Sequence, residues 1–259
     1  MFAFIDKISQ LTPLYLLVFS RISAMLVTMP LFSFGAINVR VRVLLAFILT
    51  LIITPLLSQQ MTYMPVHWLQ LVLDVLREVL VGLMVGYGAQ IIFEAIMIAG
   101  TYVGFQLGLA IMNVIDPTSQ ENMPIVGNFW VMVVLMFFII TNSHYFLVET
   151  LFFNFKIIKP STAVFHAAAG QAVIETGKMM FDLAIRFAAP VMVFILLFDV
   201  AISFMARVMP QMNIFFVSLP LKIAFGIFLL IVSLNIFQGL FAYIIDQMQG
   251  MVGQVIRGI

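Results

Sequence analysis

The chain contains no cysteine, which removes disulfides, thiolate nucleophiles and cysteine-ligated metals from consideration. It is equally short of charge. Only 9% of its 259 residues are Asp, Glu, Lys or Arg, against about 25% in ordinary soluble domains. The charges nearly cancel, 12 basic against 11 acidic, so no electrostatic footprint for nucleic acid exists. Its start, MFAFIDKISQ, has neither a basic leader region nor a small-residue cleavage site, so no removable signal peptide is expected. Catalytic motifs are missing too. His67, His144 and His166 stand in no paired ligand spacing, and there is no GxSxG elbow or phosphate-binding loop. Ser143-His144 reads as a helix-end pair. Asp182 and Asp199 would form a hydrolase dyad only if Asp182 lacked its basic neighbours. The expectation is a protein that is not an enzyme and carries no cofactor.

What fills the space is apolar. Hydrophobic residues make up 64% of the chain, including 27 Phe and 19 Met, and the mean hydropathy is +1.18. Such a chain is built for lipid or for burial in other protein. Apolar segments run over about 11–34, 43–57, 66–87, 89–112 and 125–153, and around the last, 27 uncharged residues separate Glu121 from Glu149. After Lys159 and Pro160 the character changes. From Ala163 to Arg207 one long helix is expected, with Glu175, Lys178, Asp182 and Arg186 at i, i+3, i+7 and i+11, an alternating ion-pair ladder. A last segment, 214–247, contains Pro220 and Lys222. No strand pattern is visible, so the fold class is all-α: a polytopic membrane-type protein with long, kinked helical hairpins.

Loop charges suggest an orientation. Arg40/Arg42 and Lys156/Lys159 lie in the first and fifth connections and would face the cytoplasm, while 58–65 and 113–124, free of Lys and Arg, would face outward. Several charges nevertheless fall inside apolar segments: Arg21, Asp74, Arg77, Glu78, Glu94, Glu149, Asp182, Arg186, Asp199 and Lys222. Each central charge costs about 2.5–3.5 kcal/mol on insertion scales, so partners or water are required. Local pairing of Asp74 with Arg77, and of Asp182 with Lys178 and Arg186, covers about half of them. The rest fit a wet channel, a proton relay or contacts with other subunits.

The most polar interruption is QLGLAIMNVIDPTSQENMPIVGN, residues 106–128. Gly100, Gly104 and Gly108 precede and enter it at four-residue spacing, one bare stripe on a helix. Asp116-Pro117 suits an N-cap and first helical position. The stretch reads either as a capped loop between helices or as a mobile constriction sealed by Ile111, Met112, Val114 and Ile115.

The whole chain resembles the FliR family of flagellar export-gate proteins. The residues that carry this are Arg21 with SAMLVTMPLFSFGAINVRVRVLLAF (23–47), Arg77-Glu78-x-x-x-Gly82-x-x-x-Gly86, GTYVGFQLGLAIMNVIDPTSQ (100–120) and DVAISFMARVMPQMNIFFVSLPLKIAFG (199–226). The resemblance implies a core subunit of the flagellar type III export gate in the bacterial inner membrane, within the basal body. It further implies a helical cone with P-type and Q-type subunits, served by FlhB-type and FlhA-type export proteins and carrying unfolded flagellar substrates. The cone would stand partly above the bilayer plane. By the same resemblance, residues 1–159 are a P-like half, 160–259 a Q-like half, and 106–122 a luminal plug. Gln106, Gly108, Ile111, Met112, Asn113, Val114, Ile115, Asp116 and Pro117 would form that gate. The competing expectation is a proton-coupled secondary transporter relaying through Asp74, Glu94, Asp182 and Asp199, which the unequal halves disfavour.

Overall fold

The computed structural model describes residues 2–33, 37–58, 63, 65, 67–109, 124–165, 167–211 and 213–259, with the side chains of 2–10, 214–215, 235–238 and 240 excepted. Among them are eight helices: α1 (Phe2–Thr28), α2 (Pro30–Ser33), α3 (Val39–Ser58), α4 (Trp68–Gln106), α5 (Ile125–Ile140), α6 (His144–Ile157), α7 (Ala167–Val208) and α8 (Ile214–Gly258). No strand occurs among the described residues. The protein is all-α, and among the described residues five helices are long and apolar enough to cross a membrane.

Two expected boundaries differ from the structure. The two expected segments 66–87 and 89–112 are not separate: residues 68–106 form one helix, α4, of 39 residues. Its glycines do not break it because they are used for close packing. A Cβ at Gly82 would lie 2.5 Å from the Arg21 carbonyl oxygen and 2.8 Å from Ala24 Cβ; one at Gly86 would strike Thr28. The GxxxG stripe is therefore the seat of α1 on α4. Conversely, the uninterrupted apolar segment 125–153 is two helices. Thr141, Asn142 and Ser143 separate α5 from α6, and Asn142 adopts φ 57°, the left-handed conformation that asparagine tolerates at helix ends.

α4, α7 and α8 run 39, 42 and 45 residues. At 1.5 Å per residue they are about 58–68 Å long, twice the ~30 Å of bilayer hydrocarbon. The fused α4 and the broken α5–α6 also remove the simple alternation of loops on which the expected orientation rested.

The chain packs as two compact units. The first comprises residues 1–91, 142–177 and 246–259; the second, 92–141 and 178–245. Each draws on both sides of Lys159–Pro160. In the first unit Leu17, Val18, Ile22 and Met25 of α1 are fully buried, as are Val81 and Val85 of α4 and Met248 and Val255 of α8. In the second, Phe93 meets Phe138 edge to face at 5.7 Å, and Trp130 is also fully buried. Here α4 and α5 approach until Gly100 lies against Gly127, whose own Cβ would lie 2.7 Å from the Met97 carbonyl oxygen.

Candidate functional site

An arginine in an apolar helix must find acceptors, and Arg21 of α1 finds three. It is fully buried. Its Nε pairs with the Glu78 carboxylate of α4. Nη1 donates to Asn154 Oδ1 of α6 at 2.7 Å and to the Ile158 carbonyl at 2.7 Å. The guanidinium also lies over the Phe155 ring, 4.6 Å from its centroid. Lysine, a single point of charge, could not span this fork.

The carboxylates carry the network further. Glu78 Oε1 accepts the Ser161 backbone N–H at 2.8 Å. One turn earlier, the buried Asp74 accepts from the Ser161 hydroxyl at 3.0 Å, the Tyr63 hydroxyl at 2.6 Å and Arg77 Nη1 at 3.1 Å. Ser161 takes these contacts at φ 67°, a strained conformation for a residue with a side chain. Burial, then the bond to the Asp74 carboxylate, pushes the Tyr63 phenol above the ordinary tyrosine range. Arg21 and Arg77 balance Asp74 and Glu78, so the cluster is neutral. Chemically it is a lock: α1, α4, α6 and the segment that follows α6 are tied at one point.

The other expected residues are placed as follows. Asp182 pairs with Arg186 at 2.7 Å, but both side chains are 60% or more exposed, and Glu175 and Lys178 take no ion-pair partner among the described residues. The four-residue ladder is thus a single surface pair. Asp199 instead meets Lys222 of α8 at 2.8 Å, across the hairpin formed by α7 and α8. Gly100 lies against Gly127 and Gly104 against Val126. Gly108 has left the helix. At φ 80°, it donates to Phe105 O at 3.0 Å while Leu109 N donates to Gly104 O at 3.1 Å, a Schellman termination. Just before it, Gln106 Nε2 donates to the Met192 carbonyl of α7 at 3.3 Å, and buried Leu107 fills a notch left by Gly226 of α8. Ile111, Met112, Asn113, Val114, Ile115, Asp116 and Pro117 lie outside the described residues. No group of three or more His, Asp or Glu side chains that could hold a metal ion occurs among the described residues.

Sequence reasoning noticed Arg21 but not its partners, Glu78 and Asn154, nor the roles of Tyr63 and Ser161. Part of the signal was present. Once Asp74 is assigned to Arg77, Glu78 is a carboxylate without a local cation and Arg21 a cation without a local carboxylate, both on apolar helices.

The description "Bacterial export proteins, family 1" matches residues 12–248. A relative from Bacillus subtilis, the flagellar biosynthetic protein FliR, is 32% identical over 258 residues, covering 96% of this chain and 98% of its own. The chain belongs to the FliR family. Other FliR relatives include the protein of Caulobacter vibrioides, 32% identical over 85% of this chain and 87% of its own length, and that of Escherichia coli, 27% identical over 81% and 80%. The family match takes in every member of the Arg21 cluster.

Proposed function

We propose that this chain is a non-enzymatic core subunit of the flagellar protein-export gate, located in the bacterial inner membrane at the basal body. The observation that carries the reading is full-length similarity to flagellar biosynthetic FliR proteins. The surface supports it. α7 and α8 leave Phe181, Ile185, Phe194, Leu197, Phe204, Phe228 and Ile231 exposed, and Asp182 and Arg186 share a helix with the first five. Lipid alone would suit the apolar residues and penalise the charges, whereas neighbouring protein subunits suit both. On this reading P-type and Q-type subunits cover that surface, FlhB-type and FlhA-type proteins work with the gate, and unfolded flagellar proteins pass through it. Residues 1–159 are the P-like half and 160–259 the Q-like half, and the long helices lift part of the assembly above the bilayer.

Residues 106–122 are the luminal plug, held at its base by Gln106 on α7 and Leu107 on α8. Three of the four carboxylates that a proton-coupled carrier would use are engaged: Asp74 accepts from three side chains, Asp182 from Arg186 and Asp199 from Lys222. This speaks against the transporter reading. Purification of the tagged chain in mild detergent tests the proposal. One large complex with P-type and Q-type export proteins is expected; a stable monomer or homodimer without them would overturn it. The plug is tested separately by shortening 111–121. Assembly should survive while the membrane becomes leaky to small ions, and unchanged conductance would remove the plug assignment.

A further inference from the structure

In the first compact unit, α6 and the last turns of α8 enclose a groove of about 320 Å³. Phe153 and Ile157 wall it from α6, each about half exposed, and Val252 and Ile256 of α8 are buried along it. Two charged side chains also line it: Glu149 of α6 and Arg257 of α8. They share the groove without pairing, and neither has an ion-pair or hydrogen-bond partner among the described residues. Arg257 lies in the last turn of α8, and Lys156 in the last turn of α6, a placement that complements both helix dipoles.

We propose that this groove binds one phospholipid whose headgroup carries both a phosphate and a primary ammonium, of the phosphatidylethanolamine class. Arg257 takes the phosphate, Glu149 accepts from the ammonium, and the four apolar residues receive the first carbons of an acyl chain. The carboxylate decides the class. A phosphatidylglycerol headgroup would offer the same phosphate to Arg257 but bring no cation to Glu149, and a quaternary ammonium has no N–H to donate. The inference requires only that the protein be embedded in a membrane and stands apart from the export reading.

Native mass spectrometry tests it on the full chain, purified with the proteins that accompany it and titrated with phosphatidylethanolamine, phosphatidylcholine and phosphatidylglycerol of matched acyl chains. Phosphatidylethanolamine should be retained about tenfold more strongly, one per chain. Glu149→Gln should abolish that preference, and Arg257→Gln should lower retention of phosphatidylethanolamine and phosphatidylglycerol alike. Gly253, which lines the groove, has open space where a Cβ would go, so Gly253→Leu should fill the groove and release the lipid while the protein still folds. Equal retention of the three lipids, or a preference surviving in both Glu149→Gln and Gly253→Leu, would overturn the proposal. So would the exchange Glu149→Arg with Arg257→Glu if it restored wild-type stability without lipid, since the two residues would then be partners of each other.

Discussion

Glu78→Gln isolates what burial does to an ion pair, because the protein carries a built-in comparison. Gln has nearly the size of Glu and can still accept the Ser161 N–H through its carbonyl. What it loses is the charge facing Arg21, whose side chain has no access to solvent. Breaking one side of a buried pair costs roughly 3–5 kcal/mol, because the remaining charge is stranded. For a chain of this size each kcal/mol moves Tm by about 2–4 °C, so the expected fall is roughly 6–20 °C. Asp182→Asn makes the same chemical change in a pair whose side chains are 67% and 60% exposed. An exposed helical pair contributes only about 0.3–0.5 kcal/mol, so that variant should lie within about 2 °C of wild type. The assay is thermal unfolding of the purified protein in one detergent, followed by intrinsic fluorescence and by loss of the monodisperse peak. Equal shifts for the two variants would refute the reasoning, since they would mean either that water reaches Arg21 or that Glu78 is not ionised in the folded protein.

Gly82→Ala should force α1 away from α4 and destabilise by about 1–3 kcal/mol, whereas Gly170→Ala on α7, where a Cβ meets nothing within 4 Å, should be neutral or stabilising by up to about 1 kcal/mol; paired melting curves decide. Tyr63 should stay protonated through the ordinary tyrosine range near pH 10, because its folded value is raised. The stability it adds is therefore full below about pH 10 and lost only as pH climbs through the raised value; phenolate absorbance, with Tyr63→Phe as the blank, reads this directly. Gly226→Ala should collide with Leu107, and Leu107→Ala should relieve part of the damage, so that the double variant melts above the Gly226→Ala single.

The all-α class was legible because lack of charge and long apolar runs leave no other arrangement for the backbone polar groups. Helix boundaries were legible only where local chemistry decided them. Pro210 and Asn213 mark the turn before α8, and the long helix from about Ala163 begins four residues later, at Ala167. Gly82 and Gly86 read as a GxxxG stripe on a helix, and only Gly88 falls between the two expected segments, because glycine weakens an isolated helix. Here they are set against Arg21, Thr28 and Val252, so the packing that glycine permits outweighs its weak propensity. Asn142 was passed over for the opposite reason: one left-handed residue ends a helix at no cost in average hydropathy. The Arg21 cluster was half legible. Pairing at i, i+3 is local and could be read, as with Asp74 and Arg77, but Arg21 and Glu78 are 57 residues apart and Arg21 and Asn154 are 133 apart. Only the tertiary fold brings them together.

The mid-segment charges then sort by how each is compensated, and the sorting bears on assembly. The charges of Arg21, Asp74 and Glu78 are answered within the chain, although Arg21 Nη2 has no hydrogen-bond partner among the described residues. Asp199 and Lys222 are answered across the α7–α8 hairpin, with Phe198 stacked on Phe225 at 5.0 Å beside them. Glu175 and Lys178, with the Asp182–Arg186 pair, remain on an open face of α7, next to exposed Ile174, Phe181 and Ile185. Lipid would leave Glu175 and Lys178 without compensation, and water would leave three large apolar side chains wet. A protein surface of mixed character satisfies both at once. On the proposed reading, the face of α7 from Lys178 to Arg186 is where a neighbouring subunit sits. Charge-reversal at Lys178 should accordingly disrupt recovery of the complex while leaving the melting temperature of the isolated chain unchanged.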